Sequence, residues 1–163
     1  MDAAISPRLG FAESIERLDA MPEFLEAALD SLAREDLLAR PGPDEFSLAE
    51  HACHLRDLER EGYLVRVRRM LAEERPTLQP FDGAAVAAAR DYPREDAHAA
   101  ARDFAAARGE VTSLLAALTA NDLRREADFG ERRICLADLV AMMVEHDRSH
   151  REEIERLMDF LEE

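Results

Sequence analysis

Cysteine is scarce in this chain, since Cys53 and Cys135 are the only two among 163 residues. Two cysteines cannot build a disulfide scaffold, and these two lack the close spacing of a zinc knuckle or a redox motif. A chain of this length buries enough surface to fold without such cross-links. We therefore expect one domain over residues 1–163, in a reducing, cytoplasmic setting.

Long apolar runs and basic character are also missing. No apolar run approaches the length of a membrane span, and Met1–Pro7 has neither the basic start nor the apolar segment of a secretory signal. We expect no membrane partner. The net charge of −15 argues against nucleic acid as a partner, because phosphate binding needs clustered positive charge. The basic cluster Arg66–Arg69 is interpreted as a solvated helix face.

Strict alternation of polar and apolar residues is absent, whereas apolar residues recur at helical spacing. The fold class is therefore all-α, and four principal helices with one long crossover predict a four-helix bundle. Prolines and turn residues place the helices at about Pro7–Leu38, Ser47–Glu74, Arg94–Leu118 and Leu136–Leu161.

The clearest helix start is Ser47, because Ser47 and Glu50 have the spacing of a capping box. The segment from Pro76 to Pro93 is the long crossover, with one or two helical turns inside it. Connections of this length are often functional, so the crossover is a candidate wall of the site.

Two histidines on the last helix form the most informative motif. His146 and His150 are four residues apart, so they share one helix face. They also lie within an apolar stripe that points into the bundle, together with Leu139, Met143, Ile154, Leu157 and Leu161. Two buried imidazoles need partners, and a divalent cation satisfies both. The alternative is a pair of cleft histidines bonded to carboxylates or water.

A third histidine on the second helix would complete an open three-histidine site. Either His51 or His54 can supply it, and helical phase slightly favours His51. His98 is interpreted as a surface residue and Cys53 as a small buried hydrophobe. Four carboxylates near these histidines either orient the imidazoles or are solvated, and the acidity of the helices favours solvation: Glu50, Asp57, Glu145 and Asp147.

These segments resemble the DinB-like superfamily. The resemblance rests on Phe46–Leu55, on His146–His150, on Phe81–Gly83 in the crossover and on Arg108. It implies a four-helix bundle, often dimeric, that holds a metal through three histidines. By position, the resemblance implies that His54, His146 and His150 are the ligands, with His51 as a neighbour that lines the pocket.

The chain departs from the family pattern at two places. Phe46 stands where tryptophan is common, and Glu153 stands where glutamine often precedes Ile154. Characterised relatives include S-transferases that use bacillithiol or mycothiol, and a mycothiol-dependent maleylpyruvate isomerase.

The leading hypothesis for function is therefore a Zn²⁺- or Ni²⁺-dependent thiol S-transferase, with a small-molecule thiol and an electrophile as partners and a homodimer as the assembly. The alternatives are a hydrolase that uses the same metal site and a non-catalytic metal-binding or stress-associated protein.

Overall fold

The computed structural model describes residues 10–163, and the predicted helix start at Pro7 and the Met1–Pro7 segment lie outside them. Seven α-helices follow one another within the described range: α1 Phe11–Ser31, α2 Leu48–Leu58, α3 Leu64–Ala72, α4 Gly83–Ala89, α5 Ala97–Ala116, α6 Ala120–Leu123 and α7 Leu136–Glu162. Because α2 and α3 run on through a π-helical turn at Glu59–Tyr63, four long helical segments form the bundle. The predicted fold class is confirmed.

The long helices pack in pairs around two clusters of buried side chains. α1 packs against α5 and α7, and α2 also contacts α5 and α7. Leu25 and Phe104 belong to one cluster, and Leu18, Val111 and Met143 belong to the other. None of the helices within residues 10–163 combines the length and the apolarity needed to cross a bilayer.

The capping box at the start of α2 is confirmed. Ser47 Oγ accepts from the Glu50 N–H at 3.2 Å, and Glu50 Oε1 accepts from the Ser47 N–H at 2.9 Å. Two otherwise unpaired backbone donors are thereby satisfied. The cap fixes the phase of α2, and therefore the face on which His51 and His54 lie.

Several helix boundaries differ from the prediction. α1 ends at Ser31, and Arg34–Leu38 form a separate 3₁₀ turn. α5 begins at Ala97 because Asp96 caps it, with Oδ1 accepting from the Ala99 N–H at 3.1 Å. The π-helical turn inside the second long helix was not predicted. It inserts one residue into the helical period, and such insertions are frequent at functional sites.

A small three-stranded sheet was also absent from the prediction. β1 (Thr77–Leu78) pairs in parallel with β2 (Glu126–Phe129), which pairs antiparallel with β3 (Arg132–Cys135). Gly130 turns the β2–β3 hairpin at φ 63°, in the left-handed region that glycine enters without strain. Strands of two and four residues are too short to show an alternating pattern, so the sequence contained no usable signal.

Candidate metal centre

Helices α2 and α7 bring four histidines together. The ring nitrogens of His54, His146 and His150 include one atom from each residue that all lie within 4.8 Å of one another. His146 Nε2 and His150 Nε2 are 3.1 Å apart. His51 joins them from the other side, because its Nδ1 lies 3.3 Å from His150 Nδ1. The sequence left His51 and His54 as alternatives, and the structure places both beside His150.

His54 lies between aromatic and glycine neighbours. Its ring centroid is 5.5 Å from that of Phe46 and 6.4 Å from that of Phe81. Gly83 lies against the same ring, so closely that a Cβ at this position would come within 2.7 Å of His54 Cε1. The crossover therefore forms a wall of the site, as predicted, and the missing side chain at Gly83 makes room for the imidazole.

Burial keeps these imidazoles neutral. Burial, followed by repulsion from His54, lowers the pKa of His146 to about 4. The same two causes, with His146 as the strongest repelling neighbour, lower the pKa of His150 to about 2. Burial also lowers the pKa of His54. Neutral imidazoles have a free lone pair at pH 7, which is the form that binds a metal ion.

A second group of possible ligands shares His150. Glu153 Oε2 lies 3.8 Å from His51 Nε2 and 3.9 Å from His150 Nδ1. Glu153 therefore lies on the Nδ1 side of His150, whereas His146 lies on the Nε2 side. Sequence reasoning noted Glu153 only as a departure from the family pattern. Its position one turn after His150 on α7 was the signal that could have identified it.

A buried ion cluster includes Asp147, the residue that follows His146 on α7. Arg108, only 1% exposed, donates to both carboxylate oxygens of Glu59 at 2.9 Å each and to those of Asp147 at 2.7 and 3.0 Å. It also donates to the Leu18 carbonyl at 2.8 Å. All five guanidinium N–H donors are satisfied. Because Asp147 follows His146 in the chain, this cluster holds that turn of α7 in place.

The predicted solvation of the nearby carboxylates is wrong for three of the four. Asp147 pairs with Arg108, and Glu50 caps α2 while it accepts from Arg40 Nε at 2.8 Å. Asp57, 3% exposed, accepts from Arg56 Nε at 2.8 Å and from the Tyr92 hydroxyl at 2.6 Å. These buried carboxylates are paired with arginines rather than with the imidazoles. Glu145 is exposed, as predicted.

Arg66 also differs from the prediction, because only 6% of it is exposed. Its guanidinium lies 4.8 Å from the Phe129 ring centroid and 5.4 Å from that of Tyr63, and it donates to the Gln79 carbonyl at 3.1 Å. The unpredicted sheet covers this part of α3, which explains the burial. The Tyr63 ring in turn lies 6.1 Å from that of His146.

Neither cysteine offers a reactive thiolate. Cys53 is fully buried, and burial raises the pKa of its thiol to about 12. Burial also raises the pKa of Cys135, which caps the start of α7 and lies away from the histidines. The interpretation of Cys53 as a small buried hydrophobe agrees with this burial. A thiol nucleophile, if the chemistry uses one, has to come from outside the protein.

His98 and the cavity around it are separate from the four histidines. The side chain of His98 is 43% exposed and lies 3.5 Å from Asp30, as its interpretation as a surface residue requires. It lines a cavity of about 740 Å³ whose walls also include Leu29, Leu37 and Arg94. Since His51, His54, His146 and His150 do not line this cavity, it is not part of the candidate metal centre.

Three of the four histidines, His54, His146 and His150, fit a divalent metal ion by their geometry. His54 Nδ1 is buried and has no hydrogen-bond partner within residues 10–163. The Nε2 atoms of His146 and His150, both neutral, converge on the space beside His54. Within the described part of the chain, no carboxylate joins this three-histidine group. Three neutral nitrogen ligands suit Zn²⁺ and Ni²⁺ among other divalent ions and leave coordination positions for further ligands.

Comparisons with known proteins agree with this architecture. The family model described as the DinB superfamily matches residues 17–154. No curated protein sequence matches the chain. YfiT from Bacillus subtilis, described as a probable metal-dependent hydrolase with an unusual four-helix bundle topology, has a similar solved structure, with a TM-score of 0.86. The two share 21% identity over 96% of this chain and 93% of YfiT, so the likeness concerns the fold. The resemblance seen in the sequence is confirmed: this chain belongs to the DinB superfamily.

Proposed function

We propose that His54, His146 and His150 bind one divalent metal ion, Zn²⁺ or Ni²⁺, and that the loaded protein transfers a low-molecular-weight thiol to an electrophilic carbon. The observation that carries the proposal is the convergence of three neutral imidazoles without a carboxylate or a protein thiol among them. A divalent cation at such a position stabilises the thiolate form of a bound thiol at neutral pH.

The surroundings of the histidines support an exogenous thiol rather than water as the nucleophile. A divalent metal ion lowers the pKa of bound water by itself, and a general base near the open position then speeds hydrolysis further. The nearest carboxylate to His150, that of Glu153, lies on the Nδ1 side of the ring and faces away from the shared Nε2 space. The Phe46 and Phe81 rings flank His54 at centroid distances of 5.5 and 6.4 Å, and such apolar neighbours favour a weakly hydrated sulfur ligand.

Hydrolysis is the second candidate, and Tyr63 is the residue that favours it. Burial raises the pKa of Tyr63 to about 12, so its hydroxyl stays protonated at neutral pH. Its ring packs beside His146, where a hydroxyl donor can stabilise negative charge on the oxygen of an ester or amide. YfiT is also described as a probable metal-dependent hydrolase.

A conjugation assay separates these candidates. The zinc-loaded protein is incubated with monochlorobimane and, in turn, bacillithiol, mycothiol, glutathione and cysteine. The thiolate sulfur displaces chloride from the chloromethyl carbon, and the thiol proton passes to solvent, so fluorescence reports the new C–S bond. We expect enzyme-dependent conjugation that His146→Ala abolishes and that His98→Ala, a control on the surface of α5, leaves unchanged.

Two other outcomes would each favour one of the alternative functions. Hydrolysis of p-nitrophenyl acetate without added thiol, together with no conjugation, would favour the hydrolase. Bound metal without either activity would favour a non-catalytic metal-binding protein.

A further inference from the structure

His150 has different neighbours at its two ring nitrogens. Nε2 lies 3.1 Å from His146 Nε2, within the space where the three-histidine group converges. Nδ1 lies 3.3 Å from Nδ1 of His51, a side chain that is 2% exposed. On its far side, His51 Nε2 faces the Glu153 carboxylate at 3.8 Å. The ring of Phe46 packs edge-on against His51, with centroids 5.5 Å apart.

The number of protons on a neutral imidazole determines which residue donates and which accepts between His150, His51 and Glu153. A neutral imidazole has one N–H and one lone pair, so a His150 ring that gives its Nε2 lone pair to a metal ion must carry its proton on Nδ1. Two groups face that nitrogen, and His51 Nδ1 at 3.3 Å is closer than Glu153 Oε2 at 3.9 Å. His51 accepts this proton through a lone pair on Nδ1. His51 must then carry its own proton on Nε2, where the acceptor is the Glu153 carboxylate.

The contact between His51 and Glu153 is electrostatic at its present length. A separation of 3.8 Å exceeds a hydrogen bond. The Glu153 side chain is 40% exposed, so it has room to move towards the imidazole N–H without disturbing the core. A carboxylate beside an imidazole N–H favours the tautomer that directs the proton towards it.

The same three residues also have the spacing of metal ligands, but the proton count argues against a second ion. His51, His150 and Glu153 each offer one ligand atom within 4.8 Å of the others. His150 would have to lose both ring protons to bind one ion at each nitrogen. With a neutral His150, occupation of the three-histidine group leaves only an N–H for His51 and Glu153.

We propose that His51 and Glu153 are positioning residues that hold His150 as the Nδ1–H tautomer and so present its Nε2 lone pair to the metal. This proposal rests on the metal site of the proposed function and adds two residues to it. Neither residue touches the metal or a substrate, and each acts through His150. Removal of such supporting hydrogen bonds typically weakens metal binding 10- to 100-fold.

The test combines zinc affinity with direct observation of the tautomers. Zinc affinity is measured by competition with a chromophoric chelator for the wild type, His51→Phe, His51→Gln and Glu153→Ala. Phenylalanine keeps the ring but removes the acceptor, whereas glutamine restores an acceptor oxygen. Glu155→Ala, an exposed position on the same helix, is the matched control. Two-bond ¹H–¹⁵N NMR of the zinc-loaded wild type reports which nitrogen of His51 and of His150 carries the proton.

We expect one zinc per chain in every protein, with affinity at least about tenfold lower in His51→Phe, lower in Glu153→Ala and closer to the wild type in His51→Gln. We expect the zinc-loaded wild type to show Nδ1–H on His150 and Nε2–H on His51. Zinc binding with unchanged affinity in His51→Phe, an Nδ1–H tautomer on His51, or two zinc ions per chain would overturn the positioning role alone.

If His51→Phe does not fold, the NMR spectrum of the wild type decides the question by itself. A wild-type protein that binds no zinc overturns the proposed function, and the positioning role with it.

Discussion

At the scale of single residues, the site depends on small steric and electrostatic details around the histidines. The apolar stripe of α7 predicted His146 and His150, whereas His54 came only from the family resemblance, because helical phase alone favoured His51. The sequence could not pair His51 with His150, because 99 positions separate them and only the packing of α2 on α7 sets their distance. Arg108 lies 49 positions from Glu59 and 39 from Asp147, so no local pattern reveals their cluster, and the prediction that Asp147 is solvated fails for this reason.

Gly83 allows a prediction about the shape of the site. In Gly83→Ala, the new Cβ would come within 2.7 Å of His54 Cε1, so the ring has to leave its present position beside the other two histidines. We expect zinc affinity to fall roughly tenfold, as measured by chelator competition. Gly109→Ala is the control, because a Cβ there meets no atom within 4 Å. The control should bind zinc normally and gain about 0.5–1 kcal/mol of stability. Unchanged zinc affinity in Gly83→Ala would contradict this role.

Arg108 allows a prediction about stability. Arg108→Met leaves Glu59 and Asp147 buried without their cation, so we expect the free energy of unfolding to fall by about 3–5 kcal/mol. Urea unfolding followed by circular dichroism measures the change. In Arg68→Met, which breaks an exposed pair with Glu110, the loss should stay below about 1 kcal/mol. Equal losses in the two variants would show that burial does not govern these ion pairs.

At the scale of secondary-structure elements, the sequence predicted a helix start correctly where a specific motif of side-chain hydrogen bonds marks it. The capping box at Ser47 predicted the start of α2 correctly, since two hydrogen bonds at a fixed spacing define it. The π-helical turn at Glu59–Tyr63 has no comparable signature, because one inserted residue shifts the helical phase while the chain stays helical on both sides. The short strands β1, β2 and β3 were missed for a different reason. Their formation depends on pairing between distant segments rather than on a local sequence pattern.

The crossover is tied to α2 through Asp57, and this link should depend on pH. Burial raises the pKa of Asp57, but hydrogen bonds from Arg56, Tyr92 and Arg90 outweigh it and hold the pKa below its usual value. A carboxylate of lowered pKa stabilises the fold above its unfolded pKa of about 3.9, and the contribution is lost as the pH falls through the folded value.

We therefore expect Asp57→Asn to cost about 1–2 kcal/mol at pH 7, and less as the pH falls below about 4. Urea midpoints of both proteins between pH 3 and pH 7 check this. A difference that stays constant across this range would contradict the assigned role of the charge.

At the scale of the whole molecule, metal binding and folding are linked. An ion that binds only the folded chain stabilises it by about 2.7 kcal/mol when its free concentration is 100 times Kd. For a chain of this size we expect zinc to raise the Tm by roughly 5–10 °C and a chelator to reverse the shift. The shift should be absent in His150→Ala and unchanged in His98→Ala. An equal shift in His150→Ala would show that zinc binds elsewhere.

The fold class followed from sequence because apolar residues recur at helical spacing along the chain. The pair of His146 and His150 also followed, because their spacing of four residues places them on one face of α7, whereas the choice of His54 on α2 rested on the family resemblance. The chemistry of the molecule as a whole did not follow, because it depends on which groups face the shared space between His54, His146 and His150. The structure reduces the number of candidate groups. Glu153 lies on the Nδ1 side of His150, opposite the shared space, and Cys53 is buried.

The metal content of each chain shows whether the three-histidine site exists. We would purify the wild type, His54→Ala, His146→Ala and His98→Ala, reload each with zinc under mild conditions, and count bound metal by inductively coupled plasma mass spectrometry. We expect about one metal ion per chain in the wild type and in His98→Ala, and little or none in His54→Ala and His146→Ala. No metal in the wild type, or metal retained in both ligand variants, would contradict the three-histidine site.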